Sequence, residues 1–394
     1  MAATYSSGST VVVKSIVETT YGQTPATPTM KQLRVTPSKL TLKKDTFTTD
    51  EVRDDRGISD VRHGMRKVEG TLEGDLMAGD WDDYILAGLQ GAAWSNHIAR
   101  LGSNLASFSI EQGFTDISQF RLFKGCCINK MKVSIKPGAM ASISFDFIGQ
   151  DATTGTTTVA NATTPPGITS PFSFAGGTID EGGTSISYLT GIDFEVDNGL
   201  GQVGVIGSAL SPAVFNGRSS LKGTVTALFK DQVMLNKFLN ETESSITLTL
   251  VDPAGTQHTI NLVRVKYVGG DIAPPKDGAT IITLPFEGLL APAVLSTAGT
   301  TMAVSGQVGP GTATFTRGAG SFITDGFKVG QVLTTKNLTT PSNNGDWLIT
   351  NVAATVITVR VPVGITTTLQ AAGAPGSAAG DLSVKPTNIS WARA

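Results

Sequence analysis

Charge is scarce in this chain. Asp, Glu, Lys and Arg make up 16% of its 394 residues, and their balance leaves a net charge of −2. Tight nucleic-acid binding needs a basic face or stripe, which this composition does not offer. Aromatic residues are 7% and are not spaced as platforms for stacked bases. The two cysteines, Cys126 and Cys127, are adjacent. A vicinal disulfide is strained and no C-x-x-C or Cys/His spacing occurs, so both are expected as free thiols, in a protein made in a reducing compartment. The three histidines (His63, His97 and His258) share no metal-ligand spacing, and H-E-x-x-H is missing. There is no G-x-S-x-G elbow, and the glycine-rich stretches GGTIDEGG and GLGQVGVIG neither open a helix after a strand nor precede a P-loop lysine. The adjacent acids Asp54-Asp55 and Asp82-Asp83 are ordinary on exposed loops and helix starts. No apolar run approaches the ~18 residues of a membrane span, and the polar, uncharged start is not a signal peptide. The expectation is a non-enzymatic, soluble protein with no catalytic, cofactor-binding or metal residues and no cofactor.

What the chain has is alternation, with 45 glycines and many Ser and Thr to turn it. Met131, Val133 and Ile135 alternate with polar residues, a Pro137-Gly138 turn follows, and Ala141, Ile143, Phe145 and Phe147 alternate again. This predicts a hairpin with one buried face. Ile192, Phe194 and Val196 alternate with Asp193, Glu195 and Asp197, and Ile246, Leu248 and Leu250 with threonines. Two segments have helical spacing instead: GDWDDYILAGLQ, with Asp80 as the expected cap, and KDQVMLNKFLNE, with Asp231. His258 is expected in a hairpin turn.

The order of elements repeats. VEGTLEGDLMAGDWDDYILAGL (68–89) and LKGTVTALFKDQVMLNKFL (221–239) share Gly-Thr-apolar, a strand, an Asp and a helix. Upstream, SKLTLKKD (38–45) matches TGIDFEVD (190–197); downstream, 106–149 follows the strand and turn plan of 244–288. The expected organisation is mainly β: two tandem β-sandwich or barrel domains with one short helix each (1–150 and 172–292), a turn-rich linker (151–171), and a small all-β domain (293–394). Residues 296–394 hold only nine charged side chains.

Against this sparse background, Lys43–Lys67 holds 13 charged side chains in 25 residues. Its mixed signs count against DNA binding, and it contains no matched nucleophile, base or ligand set. Two predicted strand faces are acidic, one with Glu69, Glu73 and Asp75, the other with Asp193, Glu195 and Asp197. They read either as solvated sheet faces or as a surface along which a polyanion passes without sticking.

The stretch ETTYGQTPATPTMKQLRVT (18–36), the charged DEVRDDR, and LKGTVTALFKDQVMLNKFLNETESSITLTLVDPAGTQHTINLVRVKYVGGD (221–271) resemble the tail tube proteins of long, non-contractile-tailed bacteriophages. The resemblance covers roughly residues 10–292, and the C-terminal region is similar to small β-modules of phage structural proteins. It implies two packed sheets flanked by a helix, subunits in rings whose inner sheets join into one barrel, and stacked rings that conduct DNA without specific binding. Glu73, Asp75, Asp193 and Glu195 would then face the lumen. The charged loop 43–67 would reach the next ring through Asp50, Glu51, Arg53, Asp54, Asp55, Arg56, Asp60 and Arg62, anchored by Val52, Ile58, Val61 and Met65. Its counterpart at 198–220 is neutral except for Arg218. Two domains per chain favour a homotrimer with pseudo-sixfold symmetry over a hexamer. Other tail proteins are the further partners, with no membrane insertion, assembly in the bacterial host cytoplasm and residence in the virion tail. The C-terminal module is expected outside the lumen. Two readings stay open: another injection-machine tube component, or a β-rich adhesin acting through 296–394.

Overall fold

A computed structural model describes residues 5–36, 38–51, 54, 57–295, 302–371 and 381–393. The chain is mainly β, with two seven-residue helices, α1 (Asp82–Gly88) and α2 (Val233–Leu239). The strands that organise it are β1 (Thr41–Thr48), β2 (Val61–Asp75), β3 (Gln119–Ile135), β4 (Ser142–Gly149), β5 (Leu189–Asp197), β6 (Ser220–Leu228), β7 (Gln257–Tyr267), β8 (Asp271–Ala273), β9 (Ile281–Gly288) and β10 (Ile389–Arg393).

Alternation decides which face of each strand is buried. In β4, Ile143, Phe145 and Phe147 point inward while Ser142, Ser144 and Asp146 do not; in β5, Ile192, Phe194 and Val196 are buried. With a period of two, each strand buries one face and leaves the other polar. The buried faces and α1 meet in one core. Tyr84 stacks on Phe108 with centroids 4.5 Å apart, and Trp81 lies 5.5 Å from Phe145. Trp81 is fully buried, its indole N–H donating to the Asp75 carbonyl at 2.9 Å.

The halves repeat one pairing order. In the first, β2 lies between β1 and β4, and β4 pairs with β3. In the second, β6 lies between β5 and β9, and β9 pairs with the end of β7 and with β8. Gly70 and Gly223 fall at the same place, opposite Phe147 and Phe286. Neither tolerates a Cβ: at Gly70 it would lie 2.2 Å from the Lys39 carbonyl, at Gly223 2.5 Å from that of Asp193. The halves are joined in one sheet, because β3 pairs antiparallel with β5 from Ile135↔Ile192 to Lys130↔Asp197.

Two expectations are corrected. Asp80 does not cap α1. It is nearly buried, accepts from Arg34 Nε at 2.6 Å and from the Gly167 N–H at 3.0 Å, and the helix starts at Asp82. A carboxylate out of water gains more from a cation than from a short helix end. Asp231, in contrast, accepts the Val233 N–H at 2.9 Å. His258 lies within β7, not in a turn, because Asp252 closes the turn by accepting the Thr256 N–H at 2.7 Å before the strand begins. The segment 151–171 between the halves is itself held by the fold: 151–155 pair with β3, 162–164 run parallel to 29–31, and Thr169 accepts from Arg34.

The C-terminal module has its own core around Phe315, Trp347, Ile357 and Leu382. Its chain then returns to the body, where β10 lies between β7 and residues 98–100. Arg100 pairs with Asp346 at 2.9 Å and Arg360 donates to Thr259 at 2.7 Å, so the module is clasped to both halves.

Candidate functional site: a continuous sheet face and two free edges

The outward faces of β2, β4, β3, β5, β6 and β9 form one surface in continuous register. One row across it reads Glu73, Ser144, Lys132, Glu195, Lys222, Glu287; the next reads Asp75, Ser142, Ser134, Asp193, Thr224, Pro285. The structure thus brings Glu73, Asp75, Asp193 and Glu195, which are far apart in sequence, onto the same sheet face.

The two acidic stripes do not behave alike. Lys130 of β3 reaches Glu195 at 2.9 Å and Asp197 at 3.1 Å, and Lys136 reaches Asp193 at 3.5 Å. Hydrogen bonds to Glu195 first and Asp197 second hold the Lys130 ammonium above the usual lysine range. The β5 stripe is therefore neutralised across the β3–β5 junction. Glu73 and Asp75 are exposed and make no ion pair among the described residues, while Glu69 is met by Lys43 at 2.5 Å. The surface is weakly acidic on its first half and charge-balanced on its second, where Lys222 pairs with Glu287 at 3.1 Å. The lysines on β3 were in plain view in the sequence; only the strand register shows that they face the acids.

Among the described residues, this face is bounded by two unpaired edges: β1 pairs only with β2, and β8 pairs only with β9. Apolar side chains are exposed around both: Phe47 and Val61 near β1, and Leu228, Val268 and Ile281 near β8. A long unpaired edge is normally a template for another chain.

The charged run occupies the paired ends of β1 and β2 and the segment between them, which together form an arm. Asp50, Glu51, Asp54, Asp60 and Arg62 lie on it, with Arg62 paired to Asp60 at 2.6 Å, and Ile58 is 70% exposed. Val52, Arg53, Asp55 and Arg56 lie outside the described residues. The arm is anchored at its base, where the Arg66 N–H donates to the Ala209 carbonyl at 2.8 Å and Arg66 pairs with Asp151 at 2.8 Å. Met65 is half-buried there. The counterpart loop 198–219 lies back on the first half. Asn198 Nδ2 donates to the carbonyls of Gly88 (3.0 Å) and Ile128 (3.1 Å), and Leu200 and Val214 pack with Cys127.

Chemistry elsewhere is structural. Burial pushes the Cys126 and Cys127 thiols up, Cys127 to about 12, so both stay protonated and free. Glu18, buried, accepts from the hydroxyls of Ser107 and Ser109 and the N–H groups of Gly22 and Gly125. Glu181 plays the same part in the second half, accepting from Ser244, Tyr267 and Lys237. Sequence reading missed both glutamates, since single acids among serines carry no spacing signal. Among the described residues no cluster could hold a metal ion, and no helix is long and apolar enough to cross a membrane.

No curated protein matches the chain. The profile of the phage tail tube protein family matches residues 8–289, spanning both strand sets and stopping before the C-terminal module. With more than two-thirds of its length matched and a β-rich body of this kind, the chain belongs to the phage tail tube protein family, a structural component of the virion tail.

Proposed function

We propose that this chain is the ring subunit of the tail tube, and that three copies, each contributing two duplicated tube domains, close a pseudo-sixfold ring. The observation that carries this reading is the β3–β5 junction. Inside one chain it joins the last inner strand of the first half to the first inner strand of the second. The counterparts of those two strands, β8 and β1, are the two free edges. Repeating the internal junction between chains consumes both edges and covers the apolar residues around them, as obligate oligomers do.

The continuous face then lines the lumen, with Glu73, Asp75, Asp193 and Glu195 directed at passing DNA. Weak net acidity, with most carboxylates paired, gives a wall that neither binds the polyanion nor repels it strongly. The arm bearing Asp50, Glu51, Arg53, Asp54, Asp55, Arg56, Asp60 and Arg62 reaches the adjacent ring and sets stacking register, since complementary charge selects partners more than it adds affinity. The boundaries 1–150, 151–171, 172–292 and 293–394 describe the two tube domains, the segment between them and an external module, with β10 returning to brace the body. The protein assembles in the host cytoplasm and meets other tail proteins at the tube ends.

End-on electron microscopy of purified protein tests the reading. Hollow rings of three chains with six similar lobes are the expected result. Solid particles, or a ring of six whole chains, would overturn it.

A further inference from the structure

The two kinds of junction in such a ring carry opposite charge patterns. Register makes the equivalence explicit. Gly149 opposes Val68 and Gly288 opposes Leu221, so Glu69 corresponds to Lys222 and Thr71 to Thr224. Thr41 pairs with Glu69 as Glu195 pairs with Lys222. Lys43 opposes Lys67 where Asp197 opposes Ser220, and the Lys39 N–H donates to the Thr71 carbonyl where Asp193 pairs with Thr224. The edge of β5 that receives β3 therefore carries Asp193, Glu195 and Asp197. The same edge on the first half carries Lys39, Thr41 and Lys43.

The opposing edges are switched in the same sense. Lys132 faces Ser144, Ser144 faces Glu73, and Glu73 corresponds to Thr226; Thr226 faces Thr283, and Thr283 faces Asp271. Asp271 thus stands where Lys132 stands, and the neutral Val268-Gly269-Gly270 stands near the place of Lys130. Within the chain, a lysine-bearing edge meets a carboxylate-bearing one. At the free edges, an aspartate stands on one side and two exposed lysines on the other, Lys39 and Lys43, the latter also paired with Glu69 of its neighbouring strand.

We propose that these charges favour closure of the ring by its two free edges: the β8 edge of one subunit docks on the β1 edge of the next through Asp271 between Lys39 and Lys43. This rests on the ring reading above. It assigns the β1 edge one occupant, a second copy of this chain, by continuity with the β3–β5 junction and by charge. In the internal register, Asp271 would lie opposite Thr41, with Lys39 and Lys43 as diagonal neighbours. Diagonals are within reach of long side chains, and the internal junction already uses them: Lys130 bonds Glu195 and Lys136 bonds Asp193, each one diagonal step away. Like charges placed opposite each other in a sheet are destabilising.

The test is charge reversal and rescue, with assembly followed by sedimentation and negative-stain microscopy over a range of protein and salt concentrations. Asp271→Lys is expected to raise the concentration for half-assembly about tenfold at low salt, from roughly threefold for each of the two diagonal pairs, with the gap closing as salt is added. Adding Lys39→Asp and Lys43→Asp to that variant is expected to bring assembly back to near wild type. Thermal melts and circular dichroism of the unassembled chains confirm that each variant folds. Rings that form equally well from Asp271→Lys, or a triple variant that folds and does not recover, overturn the charge rule and leave the ring reading standing. A wild-type chain that forms no rings overturns the ring reading and the charge rule with it.

Discussion

The loop between β1 and β2 and the loop between β5 and β6 occupy equivalent places, and one leaves the body while the other lies back on it. The second, residues 198–219, is almost uncharged, and it seals the first half by bonding Asn198 to the end of α1 and packing Leu200 and Val214 over Cys127. The first is dense in charge and keeps Ile58 and Phe47 exposed. The helices differ in the same way. Beneath the sealed loop, α1 buries Tyr84, Ile85, Ala87 and Gly88; α2 buries only Met234 and leaves Val233 and Leu239 exposed. One half is completed by its own chain, and the other presents what the first has covered. On the proposed ring reading, the chain carries one finished junction and one junction waiting for a copy.

The helices offer the largest break in this comparison. Trp81→Ala removes a fully buried ring that touches Tyr84 and Phe145, and about 3–5 kcal/mol of stability should go with it. Leu239→Ala, at the C-terminal end of α2 and 63% exposed, should change stability by less than about 0.5 kcal/mol. Chemical denaturation of the unassembled chain measures both. Equal losses would mean that the two helices are equally packed, and the contrast would collapse.

A second break uses acid. Burial lowers His258 from 6.5 to about 4, with Asp252 pulling weakly the other way, and the ring is neutral while its Nδ1 accepts the Trp391 indole N–H at 3.2 Å. The unfolded chain takes up this proton first. Stability from this group is therefore complete above about pH 6.5 and is lost as pH falls toward 4, by about 3 kcal/mol at full extent. His258→Asn, whose side-chain oxygen can accept from Trp391, should flatten that slope while lowering the midpoint overall. Melting temperatures between pH 4 and 7 decide it, and an unchanged slope would locate the acid sensitivity elsewhere. Because Trp391 sits on β10, this also measures how firmly the returning strand braces the second half.

Faces were legible in the sequence and partners were not. Alternation in Met131–Ile135 and Ile192–Val196 marked the buried sides, since the side-chain period follows from the backbone alone. That the two runs are neighbours depends on a pairing across more than fifty residues of chain, and nothing local encodes it. The acids of β5 consequently looked like a bare stripe until Lys130 and Lys136 were seen beside them. Asp80 looked like a helix cap because its partner, Arg34, lies far upstream, just past the strand Thr29–Leu33. The charged run 43–67 was evident from composition, while the seal made by 198–219 was not: neutral residues that pack on a neighbouring half give no periodic signal.

Asn198→Ala tests that seal with a smaller effect. The side chain is 1% exposed and satisfies two carbonyls, one at the end of α1 and one in β3. Its loss should cost about 1–3 kcal/mol through the unpaired acceptors. It should also raise hydrogen exchange in 200–215 ahead of the rest of the molecule, as expected of a segment released locally. Exchange that rises uniformly would show that the loop is part of the core and not a cover laid on it.

The smallest effect on the fold, and the one that most sharpens the contrast, belongs to the arm. Asp60 and Arg62 pair with each other on an exposed hairpin, and exposed pairs of this kind contribute at most about 1 kcal/mol. Arg62→Ala combined with Asp50→Ala should leave the melting temperature of the unassembled chain within a degree or two, about 0.5 kcal/mol or less. The same variant should still close rings, because neither residue lies on the edges that join subunits. What should change is stacking: tubes should be shorter by microscopy and should come apart at lower salt, since the lost contacts are electrostatic and screened. The neutral loop 198–219 provides the control, as substitutions on its exposed side, such as Val205→Ser or Ile206→Ser, should alter neither ring nor stack. If those changes shorten the tubes and the arm changes do not, the roles of the two loops are reversed.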